Sequence, residues 1–147
     1  MRKNVLILVL VALVVGAGAA YTFAKPKDRV RHKIDGAVYV LPKEFLVNLS
    51  DGRYAKMNVA LVLDHGQPTA PEAGGHGAAP KPPEGFGTLE QEAVVRDIVT
   101  DVVTNINGDQ LISAEGRERV KAEILGKIRR TTDVRTEDVL ITDVAVQ

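Results

Sequence analysis

The side chains able to do acid–base or metal chemistry are few in this sequence, and they are poorly placed for it. The 147-residue chain has three histidines. His32 stands in a basic stretch, and His65 and His76 stand in a segment rich in Pro, Gly and Ala. None has a nucleophile beside it, and no further ligand stands at a useful spacing. Neither a nucleophile–base pair nor a metal centre is therefore expected. Cysteine is absent, which removes thiol nucleophiles, Cys-ligated zinc, iron–sulfur sites and any disulfide framework. The run Gly74-Gly75-His76-Gly77 does not follow a strand and open a helix, as a phosphate cradle must. Glu90, Glu92, Asp97 and Asp101 read most simply as the solvated face of one helix. Arg129 and Arg130 could hold a phosphate, but paired charges closing a helix are the more usual arrangement. No catalytic residue, no metal and no cofactor are expected, so activity must come from location and contact.

Charge gives little direction to those contacts. Lys and Arg number 19, Asp and Glu number 19, and a balanced chain has no global pull toward nucleic acid. The charges are unevenly spread, with a basic N-terminal third and most of the acid in the C-terminal half.

Location is stated by the N-terminus. Residues 5–24 carry no charge, and as a helix they would span about 30 Å, a bilayer core. Val5, Leu8, Leu10, Leu13 and Val15 form the strongly apolar part, and Tyr21 and Phe23 sit near one end, where aromatic rings favour the interface. A membrane anchor is expected here, behind a short tail at 1–4. A cleaved signal peptide is the alternative, because Ala17 and Ala19 offer small residues of the cleavage type. Lys25, Lys27, Arg29, Arg31 and Lys33 follow in a stalk spanning 25–36. Anionic headgroups attract such segments at about 1 kcal/mol per charge. By charge count alone this flank would face the cytoplasm.

The elements that follow form an α+β pattern. Tyr39, Leu41, Phe45, Val47 and Leu49 alternate with polar residues, as do Met57, Val59, Leu61 and Leu63. Two half-buried strands are expected. Ser50, Asp51 and Gly52 join them. A two-residue loop would put the two apolar sets on opposite faces. A three-residue loop pairs Val47 with Ala55 and Phe45 with Met57, on one face, with Gly52 left-handed. Pro42 belongs at a strand end or an edge. Residues 65–87 hold five of the seven prolines and little that can be buried, so a disordered or exposed loop is expected.

Thr88 and Gln91 then read as a capping box. Apolar doublets from Val94 to Ile106 repeat with helical period, and Gly108 reads as the helix end. Ser113 caps a second helix with Glu115 in its first turn, a seam of Val120, Ile124 and Ile128, and Arg129 and Arg130 at its end. A final strand switches parity at Thr142-Asp143, which predicts a bulge. The order is ββ-loop-αα-β: a small antiparallel sheet covered by two helices.

These residues resemble the flagellar basal body-associated FliL proteins. The resemblance rests on the anchor, then "YVLPKEFLVNLSDGRYAKMNVALVL", "VVRDIV", "LISAEGRERVKAEIL" and a terminal strand ending Val146-Gln147. It departs in the last strand, which carries Ile141 and Val144 where aromatics are common, and in Arg129-Arg130 where the family often has Asn. The resemblance implies a stomatin/prohibitin-like domain at 37–147, held outside the cytoplasm by an inner-membrane anchor. It also implies contact with the motor stator and basal-body proteins and a homo-oligomeric ring, with no enzymatic activity and no nucleic acid. Arg96, Asp97 and Asp101 are the expected partner surface. Two rivals stand beside this reading: a membrane scaffold without a flagellar role, and a secreted binding domain freed by cleavage.

Overall fold

Alternating apolar and polar residues build the sheet. The computed structural model describes residues 33–69 and 82–147. Its strands are β1 (Ala37–Val40), β2 (Phe45–Asn48), β3 (Tyr54–Leu63) and β4 (Thr136–Val146). Its helices are α1 (Glu92–Thr104), α2 (Gly108–Ile112) and α3 (Ala114–Thr131). The expected anchor at 5–24 lies outside the described residues. Among the described residues no helix is long and apolar enough to cross a membrane.

β3 is the centre of an all-antiparallel sheet. β2 pairs with it as expected, Phe45 opposite Met57 and Val47 opposite Ala55, and Gly52 has φ +85°. β1 pairs with residues 60–63 of β3, and β4 runs along residues 55–63. Odd residues of β3 turn their main chain toward β1 and β2, as shown by Leu41 N–H donating to Val59 at 3.0 Å. Even residues turn theirs toward β4, as shown by Tyr54 and Gln147 exchanging hydrogen bonds at 3.0 Å. β1 and β2 are thus successive pieces of one edge, broken around Pro42, whose ring nitrogen has no proton to donate. The register of β4 shifts opposite Asn58/Val59, which leaves Thr142 as the extra residue of the expected bulge. A second shift falls opposite Val62/Leu63.

The core lies between the odd face of the sheet and the helices. Phe45, Val47, Leu49, Met57, Val59 and Leu61 are buried, as are Ile98 and Val102 of α1 and Ile124 and Ile128 of α3. β3 is more than half-buried, however. Ala60 and Val62 on the opposite face are also inaccessible, each flanked across the sheet by residues of β1 and β4.

The helical half departs from expectation in three places. Thr88 and Gln91 make no capping box: Gln91 is the N-cap residue and its side chain makes no cap bond. That side chain instead reaches Asp133, accepting from its backbone N–H at 3.0 Å. Gly108 does not end a helix but begins α2, a third helix capped by a reciprocal Asn107–Gln110 box. The expected loop at 65–87 is also tied down at its ends. Gln67 accepts from Arg135 N–H at 2.8 Å, and Gly87 N–H donates to Glu92 at 2.8 Å. By contrast, Ser113 caps α3 as expected, accepting from Gly116 N–H.

Truncating the shared face should be costly. Met57 is 1 % exposed, and Met57→Ala should destabilise by about 2–5 kcal/mol. Asp97→Asn, on the exposed face of α1, should stay within about 0.5 kcal/mol. Urea unfolding of both variants beside the parent chain checks the contrast, and equal midpoints would refute this account of the core.

Candidate functional site

Charged side chains cluster where the chain turns, and each cluster joins two elements. The hairpin turn is the first. Asp51 accepts from the Arg53 guanidinium at 2.7 and 3.0 Å and from Gly108 N–H at 2.8 Å. Arg53 also reaches Asp109 at 2.8 Å, and Ser50 N–H donates to the Ile106 carbonyl at 3.0 Å. The turn is therefore docked on the junction of α1 and α2. A β-carbon at position 108 would stand 2.6 Å from the Arg53 guanidinium carbon, so a larger residue there would displace the guanidinium. The Arg53 guanidinium and the Gly108 amide hold the Asp51 carboxyl down at about 2. Asp51 in turn pushes the Arg53 guanidinium up.

Arg96 forms the second cluster. Its guanidinium donates to the Lys43 carbonyl at 2.8 Å and lies over the Phe45 ring at 4.3 Å. It binds α1 to the break between β1 and β2, so its hydrogen-bonding face is turned inward. Of the other two residues expected at a partner surface, Asp101 pairs with Lys127 at 2.6 Å, joining α1 to α3, while Asp97 stays exposed. The three do not converge on one site.

The third cluster was not expected. Glu92 is 2 % exposed, not on a solvated face. It accepts from the Tyr39 hydroxyl at 2.5 Å and from Gly87 N–H at 2.8 Å. Its other oxygen is buried without a partner among the described residues. The Tyr39 hydroxyl also accepts from Leu89 N–H at 3.2 Å. Burial, and next the bond to Glu92, push the Tyr39 phenol up. The group sits between β1 and the start of α1, where it fastens the far end of the long loop. The sequence signal was an acidic residue in the first turn of a helix, the usual dipole arrangement, which gives no hint of a tyrosine 53 positions earlier.

Among the described residues no group of three or more His, Cys, Asp or Glu could hold a metal, and His65 lies 2.8 Å from Asp35 alone. An open groove lined by Asp64, Arg129, Asp133, Arg135 and Glu137 has its arginines engaged. Arg129 donates to the Thr136 and Glu137 carbonyls, and Arg135 to the Gly66 carbonyl. Of the expected headgroup contacts, Lys33 is exposed, and Lys25, Lys27, Arg29 and Arg31 lie outside the described residues.

Among the described residues a small antiparallel sheet carries helices on one face, with its corners fastened by charge. The match to "Flagellar basal body-associated protein FliL" runs over residues 38–147, and the chain belongs to that family. Its place is with the basal body of the flagellum. A search of the curated proteins returns no match.

The Asp51 cluster carries a pH signature. A carboxyl lowered in the folded state stabilises it above the ordinary carboxyl range, and that contribution is lost as pH falls through the folded value. From the usual 3.8 down to about 2, the melting-temperature gap between the parent and Asp51→Asn should therefore close. A gap that stays constant from pH 6 to pH 2 would show that the turn is held by other means.

Proposed function

We propose that the chain is a non-enzymatic, membrane-tethered module that associates with the flagellar motor stator and supports rotation. The family match over residues 38–147 carries this reading. The uncharged run at 5–24 supports an inner-membrane anchor, and the resemblance supports a domain on the periplasmic side. The basic residues from Lys25 to Lys33 then lie at the headgroups of that leaflet. Assembly into a homo-oligomer follows the same resemblance. Asp97, exposed on α1 and without a hydrogen bond or ion pair among the described residues, is the remaining member of the expected partner surface able to meet a stator protein directly.

Topology and motility test this in one strain background. A phosphatase fused after Gln147 should be active, and carbonate-washed membranes should keep the full-length chain. Asp97→Lys should reduce swimming without lowering the unfolding midpoint. A soluble product starting near residue 20 would replace the anchor by a cleaved leader. Normal swimming in a null strain would remove the flagellar role altogether.

A further inference from the structure

Gly108 meets the hairpin turn through its main-chain nitrogen, and that nitrogen has a reaction of its own open to it. Among the asparagines of the sequence, Asn107 alone precedes a glycine; the others precede Val, Leu or Ile. In an Asn–X pair the amide nitrogen of X can attack the side-chain carbonyl carbon of Asn. A branched side chain on X shields that nitrogen, whereas glycine, with no β-carbon, leaves it open. At Asn107 a bond would form between the Gly108 nitrogen and Asn107 Cγ, and the bond from Cγ to the side-chain nitrogen would break. The Gly108 amide proton leaves with that nitrogen as ammonia, and a succinimide ring remains. Water then opens the ring at either carbonyl, giving aspartate or isoaspartate. Water is the sole co-reactant.

The structure occupies the atoms that this ring needs. Gly108 N–H donates to Asp51 Oδ2 at 2.8 Å. The proton that must be lost is thus held by a carboxylate, and the amide anion left behind would face that negative charge. Asn107 is exposed while Gly108 is buried, so the side chain meets water but the attacking nitrogen lies under the docked turn. Asn107 Oδ1 accepts from Gln110 N–H at 3.1 Å, and Asn107 N–H donates to Gln110 Oε1 at 3.0 Å. Closing the ring brings Asn107 Cβ nearly into eclipse with the Gly108 nitrogen, whereas the extended ψ of 161° keeps the two apart. Closure therefore requires rotation about the Asn107 Cα–C bond, which carries Gly108 N–H off Asp51.

We propose that Asn107–Gly108 is a site of spontaneous deamidation that the docked hairpin turn keeps closed, and that opens when Asp51 releases the Gly108 amide. The product makes the opening permanent. Isoaspartate inserts one more carbon into the main chain between residues 107 and 108, so the Gly108 amide no longer returns to Asp51 in the same register. Aspartate keeps the helix cap, since it caps as well as asparagine. It also adds a carboxylate beside Asp51 and Asp109, which already share the Arg53 guanidinium. Modification at this pair is a one-way record that the turn has lifted from the junction of α1 and α2, and it does not depend on the flagellar reading.

The test uses the full-length chain in detergent, incubated in mildly alkaline buffer. Peptide mass spectra read conversion at Asn107, and released ammonia separates it from isoaspartate formed at Asp35-Gly36 or Asp51-Gly52. The urea-unfolded parent and a folded Asp51→Ala chain should both convert at least several-fold faster than the folded parent. Asp51→Asn is avoided because it would make a second Asn-Gly pair. Hydrogen exchange at the Gly108 amide of the parent gives a reading that needs no variant. The same opening exposes that amide, so its protection should match the slowing of deamidation within several-fold. Conversion of the folded parent as fast as the urea-unfolded chain would overturn the proposal. So would an Asp51→Ala chain that melts like the parent and converts no faster. A Gly108 amide that exchanges freely while Asn107 stays intact would overturn it too, because the protection would then lie elsewhere.

Discussion

Everything in this fold depends on β3 being hydrogen-bonded along both edges while one of its faces is dry. A strand in that position has no freedom of register, because a slip of one residue would turn Met57, Val59 and Leu61 out and Lys56 and Asn58 in. β2 and β4 must match that parity, and the helices must supply the cover. Ile98 and Val102 of α1, with Ile124 and Ile128 of α3, are buried because that face needs a lid. The β-branched content of α1 is tolerated for the same reason: tertiary burial outweighs the modest helix penalty of valine and isoleucine.

Apolar packing alone would leave the corners loose, and the polar residues act there. Asp51 with Arg53, Arg96, and Tyr39 with Glu92 each join segments far apart in the chain at points where the path reverses. Their energetic weights differ. The Asp51 and Arg53 groups are open to solvent, where ion pairs contribute little individually, although Asp51 also holds a backbone amide of α2. Glu92 is buried, so its bonds count for more and the loss of one partner would strand a polar group. The unpartnered oxygen of Glu92 already carries part of that cost, which the end of the long loop offsets by donating Gly87 N–H.

What the sequence made legible follows from parity. The hairpin register was readable because only one loop length puts both apolar sets on one face. The bulge at Thr142 was readable because one extra residue flips the alternation. The break between β1 and β2 was invisible in the pattern because the register there changes by two residues, which preserves parity. α2 was missed because Gly108, usually a stop, follows an apolar helix, and the cap at Asn107 covers only five residues. Glu92 was misplaced because its partner is remote in the chain. Of the expected partner surface, the residue types were right for a helix face, but neither Arg96 nor Asp101 is available as a lone charge.

The surface left over decides what such a module can do. Among the described residues that surface offers strand edges, exposed apolar side chains and charges. The structure spends its arginines on closing carbonyls: Arg96 at the strand break, Arg129 at the start of β4, and Arg135 at the start of the long loop. Each is a place where an edge or a turn would otherwise offer open acceptors to other chains.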